Sequence, residues 1–245
     1  MIENIDVSRL VDDGRKTIVG MVDSGFSKLP SYAVLHGAGH QSGTEHGDRV
    51  LAVFTALDRK FPLQNLELHL SCYDPKTGYD GLAYALSLLP ECDILSISLS
   101  WKDDDVRIRS MLSSRFGKVC APYSWDDLPY PASYSFVTSC SNGDNPNADW
   151  SICPNAEWNG NSYAVPAVAR LMAHGIDKPD HADGMPVAEL FSDCGKGIAV
   201  LGGKSRAGKM SCPHCHRFIR NGRTHGFMVT DFESCPYCGL PLAGE

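Results

Sequence analysis

The sequence has no long hydrophobic run. No stretch approaches the ~18 consecutive apolar residues that a transmembrane helix requires, so we expect no membrane partner. The segment from Met1 to Val7 carries Glu3 and Asp6 and lacks the apolar stretch of a secretory signal. These absences predict a cytoplasmic protein.

A disulfide framework is also lacking. The chain has ten cysteines, of which four form two closely spaced pairs that are considered below. The other six are scattered, as is typical of reduced and mostly buried thiols in a cytoplasmic protein. They are Cys72, Cys92, Cys120, Cys140, Cys153 and Cys194.

Positive charge is scarce. The 245 residues carry a formal net charge of −7, and their composition is that of a soluble globular protein. From Arg206 onward there are five basic and three acidic residues, a balance of +2 that leaves −9 for the rest. Such a mildly basic tail most often belongs to a solvated surface, so we do not expect a nucleic-acid partner. A nucleic-acid-associated regulator is the least favoured alternative.

The hydrophobic pattern predicts strands that alternate with helices. Strands are predicted over residues 17–23, 66–72, 92–101, 118–121 and 135–139. Helices are predicted over 48–61, 79–89 and 106–116, and a loop rich in Asn, Asp, Gly and Pro over 140–161. This alternation favours an α/β fold with a parallel sheet and helices on both faces.

The segment from Trp158 to Ala169 places Ser162 after a Gly-Asn pair and before an apolar helical run. A serine at a helix N-terminus faces unpaired backbone N–H groups and the positive end of the helix dipole. Such a place suits a nucleophile, because the same N–H groups hold a developing oxyanion. Pro166 is expected to cost the helix a hydrogen bond, a violation typical of functional sites. An ordinary N-cap serine is the alternative.

Two upstream segments favour the nucleophile. Asp23 ends a predicted buried strand, and His46 precedes a predicted helix. The order along the chain is therefore Asp, His and Ser, which is the order of the subtilisin triad and differs from that of chymotrypsin.

Five segments in this order resemble motifs of the subtilisin-like serine proteases, the subtilases. Three surround the candidate triad: Val22-Asp23-Ser24-Gly25, His46-Gly47-Asp48-Arg49-Val50, and Gly160-Asn161-Ser162-Tyr163-Ala164-Val165-Pro166. Asp48 and Asn161 stand where the family usually has threonine. Two more are the strand that ends in Ser98-Leu99-Ser100 and the loop Tyr130-Pro131-Ala132-Ser133-Tyr134. The resemblance covers roughly residues 17–175.

The resemblance implies a three-layer parallel sheet and a serine endopeptidase that works through an acyl-enzyme. Ser162 would be the nucleophile, His46 the general base, and Asp23 the residue that orients His46. A peptide or protein substrate would add as an extended strand beside Ser98, Leu99 and Ser100. The compact catalytic region favours a dedicated intracellular processing protease.

One departure concerns the oxyanion. Subtilases usually carry an Ala-Gly-Asn turn whose Asn donates to it, but residues 117–124 contain no Asn. The candidate donors are the backbone N–H of Ser162 and the side chains of Ser124, Tyr123 and Asn142. The enzyme is therefore expected to be slow, and a catalytically degenerate subtilase fold that binds a peptide or a partner protein is the alternative.

A second constellation lies near the end of the chain. Two C-x-x-C pairs separated by nineteen residues resemble a zinc ribbon, and each pair supplies two thiolates to a tetrahedral structural Zn²⁺. The four ligands would be Cys212, Cys215, Cys235 and Cys238. Disulfides or redox dithiols are the alternative. Zinc would supply the stability of so small a domain, which could serve structural closure or recruit a protein partner.

The glycine-rich linker at residues 202–209 suggests two domains. We expect the catalytic domain over residues 1–203 and the zinc ribbon over 204–245. About sixteen residues precede the first predicted strand, too few for a folded pro-domain, so we expect folding without removal of a pro-segment.

Overall fold

A computed structural model defines the fold. The structure describes residues 4–37, 44–123, 128–142, 145, 147–152, 160–178, 185–186, 190–191, 210–211 and 218–219. The chain divides into two compact units, Met1–Ile198 and Ala199–Glu245. In the second unit, the strands Met210–Ser211 and Phe218–Ile219 pair in an antiparallel arrangement.

A parallel sheet of seven strands forms the centre of the first unit. After a short strand β1 (Asn4–Ile5), its members are β2 (Thr17–Asp23), β3 (Ala33–His36), β4 (Leu66–Cys72), β5 (Cys92–Ile97), β6 (Phe116–Pro122), β7 (Val137–Asn142) and β8 (Trp150–Ile152). Their spatial order is β3-β4-β2-β5-β6-β7-β8, and each neighbouring pair is parallel. β1 pairs instead with Met185–Pro186 in an antiparallel arrangement. The predicted α/β class with a parallel sheet is confirmed.

Helices cover both faces of this sheet. They are α1 (Thr44–Thr55), α2 (Gly78–Leu88), α3 (Val106–Arg115) and α4 (Ala164–Ala173). Successive residues of β5 point into opposite cores: Ile94 packs in a cluster with residues of α1 and α4, and Leu95 in a cluster with residues of α2 and α3. The first unit therefore has three layers, helix, sheet and helix.

Local sequence signals explain where the helices begin and end. Asp105 caps α3, because its carboxylate accepts from the backbone N–H groups of Arg107 (2.9 Å) and Ile108 (3.2 Å). Every residue of α4 is buried, including Arg170, whose guanidinium donates to the carbonyl of Phe61 (2.9 Å). Gly175, with φ +78°, follows the end of α4 in the left-handed conformation that glycine favours.

The structure corrects several predicted bounds. α1 begins at Thr44 rather than at residue 48, so His46 lies in its first turn and does not precede it. β5 ends at Ile97 rather than at 101. The predicted loop 140–161 contains the end of β7 and all of β8, and β3 was not predicted. β3 and β8 have only four and three residues, too few for a hydrophobic period to be recognised.

Other predictions concern thiols and membranes. Cys92, Cys120 and Cys140 are buried thiols and Cys72 is a half-buried one, as predicted. Cys153 and Cys194 lie outside the described residues. Among the helices that the structure describes, none has the length and apolarity needed to cross a membrane.

Candidate active site

The candidate site lies where the strands of the sheet end. Because parallel strands all end at one edge, the residues that end or follow them converge there. Asp23 is the last residue of β2, Ser98 follows β5 directly, and Asn142 is the last residue of β7. These strand ends therefore bring three polar side chains to the same edge of the sheet.

Asp23 is completely buried, and its carboxylate is fully engaged. The backbone N–H of Ser24 donates to its Oδ1 atom (2.7 Å), and the Ser24 hydroxyl lies 3.1 Å from the same oxygen. Nδ1 of His46 lies 2.8 Å from Oδ1 and 3.0 Å from Oδ2. Since a carboxylate only accepts hydrogen bonds, Nδ1 of His46 carries the proton and Nε2 presents its lone pair when the ring is neutral.

Gly47 and Asp48 hold the beginning of α1 against the loop that follows β2. A Cβ atom on Gly47 would lie 1.9 Å from the carbonyl oxygen of Gly25, so only glycine permits the observed approach of α1 to the turn after Asp23. Asp48, where subtilases usually have threonine, accepts hydrogen bonds from the backbone N–H (2.7 Å) and the hydroxyl of Ser27. Both contacts tie the beginning of α1 to the loop that follows β2.

Ser162 lies in a 3₁₀ turn directly before α4, as predicted for a serine at a helix N-terminus, and it is not the N-cap of the helix, which was the alternative. The turn spans Asn161–Tyr163, and α4 begins at Ala164. Oγ of Ser162 lies 3.2 Å from Nε2 of His46. The prediction that Pro166 costs a hydrogen bond is wrong, because Pro166 is the third residue of α4, and the first-turn N–H groups have no partner within the helix.

The environment raises the basicity of His46. Burial lowers the pKa of His46, but the hydrogen bond and the charge of Asp23 outweigh it, so that this pKa lies above its ordinary value. The ring of Tyr163 stands beside the imidazole, with 5.5 Å between the ring centroids. Asp23, His46 and Ser162 therefore form a continuous chain of hydrogen-bonding groups.

The predicted substrate strand flanks this chain of groups. The hydroxyl of Ser98 donates to the carbonyl oxygen of Ser162 (3.0 Å), while Leu99 and Ser100 continue from it half-buried. Trp101 then forms an antiparallel bridge with Tyr130, with backbone N–O distances of 2.8 and 3.1 Å. Residues 98–100 are thus anchored at both ends next to Ser162.

Two of the predicted oxyanion residues, Tyr123 and Asn142, contact the side chain of Asn161. The amide of Asn161 donates to the carbonyl of Tyr123 (2.5 Å) and accepts from the backbone N–H of Asn142 (2.9 Å). Asn161 had been noted only as a departure from the family's threonine. Ser124, the remaining candidate, lies outside the described residues.

The predicted zinc ligands Cys212, Cys215, Cys235 and Cys238 also lie outside the described residues. Within the part that the structure does describe, no group of three or more His, Cys, Asp or Glu side chains could hold a metal ion.

Comparison with known proteins gives matches among solved structures alone. No family model and no curated protein matches the chain. It is similar to a Pseudomonas sedolisin, a serine-carboxyl proteinase in complex with pseudo-iodotyrostatin, at 12% identity over 85% of this chain and 91% of that chain, with a TM-score of 0.47. It is also similar to a psychrophilic subtilisin-like protease of an Antarctic Pseudoalteromonas, at 17% identity over 57% of this chain and 38% of that chain, with a TM-score of 0.40.

Proposed function

We propose that the chain is a subtilisin-like serine endopeptidase. The observation that carries the proposal is the series Asp23, His46 and Ser162, with 2.8 Å between the first two side chains and 3.2 Å between the last two. This pattern, a nucleophile hydrogen-bonded to a base that a third group orients, is the general signature of nucleophilic catalysis. Both distances lie within hydrogen-bond reach.

In this mechanism, Ser162 attacks the carbonyl carbon of a peptide bond. Its proton passes from Oγ to Nε2 of His46, which then delivers it to the leaving amine. Water then attacks the acyl-enzyme, with the same proton transfers through His46, and the second product is released. Buried Asp23 holds the proton on Nδ1 and stabilises the imidazolium while His46 carries both protons.

Substrate orientation follows from the segment beside Ser162. An extended peptide would pair with the backbone of residues 98–100, which leads its scissile carbonyl past Ser162. The hydroxyl of Ser98 supports this arrangement, because it already holds the backbone of the nucleophile at 3.0 Å. The substrate class is therefore a protein segment in extended conformation, and the proposed role is that of a dedicated processing protease of the cytoplasm.

The second unit is proposed to be a structural zinc ribbon with Cys212, Cys215, Cys235 and Cys238 as ligands. The basis is the paired C-x-x-C spacing, which suits a closed tetrahedral thiolate site. We propose that it stabilises its own short segment and presents a surface to a protein partner.

Hydrolysis of an unfolded protein tests the proposed activity. We expect wild type to cleave reduced, alkylated casein, and Ser162→Ala and His46→Ala each to lower the rate at least about 10³-fold. The double variant should be little worse than either single variant, because the residues act as a unit. Ser87→Ala removes an exposed hydroxyl that donates to the carbonyl of Tyr84 in its own helix, and it should retain full activity.

A second candidate function follows from the missing asparagine of the oxyanion turn. A chain with this fold that binds extended peptides without cleaving them would show peptide affinity in wild type and in Ser162→Ala alike. It would show no hydrolysis in either. Measuring binding and cleavage on the same peptides therefore separates the two functions.

A further inference from the structure

The side chain of Asn161 joins the turn of the candidate nucleophile to two strands. Its Nδ2 donates to the carbonyl of Tyr123, just past the end of β6, at 2.5 Å. Its Oδ1 accepts from the backbone N–H of Asn142 on β7 at 2.9 Å, with the Ser141 hydroxyl at 3.4 Å. One amide group therefore connects residue 161 to the ends of two adjacent strands.

This connection supports a turn that has no side-chain cap. The 3₁₀ turn Asn161–Tyr163 has Gly160 as its N-cap, and no side chain caps it. Tyr163, which precedes α4, likewise makes no side-chain cap. A further tie comes from the end of β5, where the Ser98 hydroxyl donates to the carbonyl of Ser162. The position of Ser162 therefore depends on long-range contacts with the ends of β5, β6 and β7.

We propose that Asn161 is a positioning residue for Ser162, an inference that rests on the proposed function. Its amide fixes the turn that aims Oγ of Ser162 at His46. The same two hydrogen bonds fix the separation of Tyr123 and Asn142, the strand ends that carry candidate oxyanion donors. Asn161 thus couples the direction of attack to the shape of the oxyanion site.

The chemistry of the two partners explains why an asparagine is required. The carbonyl of Tyr123 needs a donor, and the N–H of Asn142 needs an acceptor. An amide offers both in one plane, whereas a carboxylate would place an acceptor against an acceptor. A threonine, which is usual at this place in the family that the motif resembles, offers one hydroxyl that lies one bond closer to the backbone. We therefore expect Asn161→Thr to fall between wild type and Asn161→Ala.

The inactivation kinetics of a fluorophosphonate probe measure this role. We expect Asn161→Ala and Asn161→Asp to lower the maximal inactivation rate about tenfold to a hundredfold, the cost of a misplacement on the order of 1 Å. The concentration for half-maximal rate should change little, since the probe is not held by Asn161. Asn65→Ala is the matched control, because its amide also donates to a backbone carbonyl, that of Gly14 at 2.6 Å, and Asn65 lies beside Thr17 at the opposite edge of the sheet.

A second readout does not depend on reactivity. The Asn142 amide should exchange its hydrogen about tenfold faster in Asn161→Ala, because its acceptor is gone, and at the wild-type rate in Asn65→Ala. Unchanged exchange, or an inactivation rate within about twofold of wild type in all three variants at position 161, would overturn the inference. A wild type that never reacts with the probe would instead overturn the proposed function, and the exchange of Asn142 would still decide whether Asn161 holds the turn.

Discussion

Nε2 of His46 lies 3.2 Å from Oγ of Ser162, although 116 positions of sequence separate the two residues. His46 reaches this place because α1 begins at Thr44 and is tied to the turn after β2. Ser162 reaches it through a 3₁₀ turn that three strand ends support. The contact therefore depends on the sheet, and substitutions that displace either support should reduce activity without touching the hydroxyl or the imidazole.

The first prediction concerns the pH dependence of His46. Because the pKa of His46 is raised above 6.5, kcat/KM should increase with pH through an inflection above that value, as the ring becomes the neutral base. Asp23→Asn removes the interactions that raise this pKa and leaves the burial that lowers it, so the pKa should fall. It should also lower kcat by about 10⁴, because the proton is no longer held on Nδ1.

NMR titration of the imidazoles measures this shift directly. His36 lies on β3, two strands from Asp23 in the sheet, and serves as the internal reference that should titrate alike in both proteins. An inflection of His46 that is the same in wild type and in Asp23→Asn would contradict the assigned pairing. The raised pKa also makes stability depend on pH. The contribution of the His46–Asp23 pair to the free energy of unfolding is fully present below the unfolded-state pKa of His46 and is lost as pH rises through its folded-state pKa.

The second prediction concerns Gly47. A methyl group there would meet the carbonyl oxygen of Gly25 at 1.9 Å and Cβ of Asp23 at 3.4 Å, so Gly47→Ala must displace α1 from the Asp23 turn. We expect a loss of about 1–3 kcal/mol in the free energy of unfolding and a large loss of kcat. Thermal unfolding and steady-state kinetics on the folded protein measure the two effects.

Gly117→Ala is the control for this substitution. Its methyl group would meet the carbonyl oxygen of Asp93 at 2.8 Å, near the beginning of β6 and away from the candidate site. It should lower stability and leave kcat near the wild-type value. Equal kcat in the two variants would show that the approach of α1 to Asp23 does not matter for turnover.

The sequence predicts some parts of this fold better than others. Thr17–Asp23 and Leu66–Cys72 were predicted with their observed bounds, because both are seven-residue strands with a clear apolar pattern. Trp150–Ile152 was missed because three residues within a Gly- and Asn-rich segment carry no readable period. Its pairing with β7 is set by tertiary contacts, which outweigh local preference.

The candidate site likewise contains contacts that the sequence predicts and contacts that it does not. Asp23, His46 and Ser162 were predicted as partners from short motifs, and their side chains do meet. The contacts of Asn161 were not predicted, because its partners lie 19 and 38 positions away. Motif comparison identifies an unusual residue, but it does not tell which backbone groups the side chain will reach.

The third prediction concerns the oxyanion donor. If Tyr123, Ser124 or Asn142 donates through its side chain, then Tyr123→Phe, Ser124→Ala or Asn142→Ala should lower kcat by about 10²–10³ with little change in KM. If none of them donates, the kcat of wild type should be lower by a similar factor than that of an enzyme with a side-chain oxyanion donor, since only the Ser162 N–H and weaker donors remain. A fast wild type that is indifferent to all three substitutions would place the oxyanion site elsewhere.

The fourth prediction concerns zinc. Protein purified without chelator should contain one Zn²⁺ per chain, and Cys212→Ser or Cys235→Ser should lose it, because three thiolates no longer close the tetrahedral site. Cys72→Ser, a half-buried thiol in β4, is the control and should keep the metal. Elemental analysis gives the stoichiometry. Absence of zinc, or a disulfide within either C-x-x-C pair, would refute the assignment.

The most direct test of the central claim is the covalent labelling of Ser162. Wild type treated with diisopropyl fluorophosphate should gain one phosphoryl adduct per chain, and peptide mass spectrometry should place it on Ser162, because the neighbouring His46 activates this hydroxyl alone. Ser162→Ala should gain no adduct, and His46→Ala should react at least about 10³-fold more slowly. An unlabelled wild type, or an equal adduct in Ser162→Ala, would contradict the assignment of Ser162 as the nucleophile.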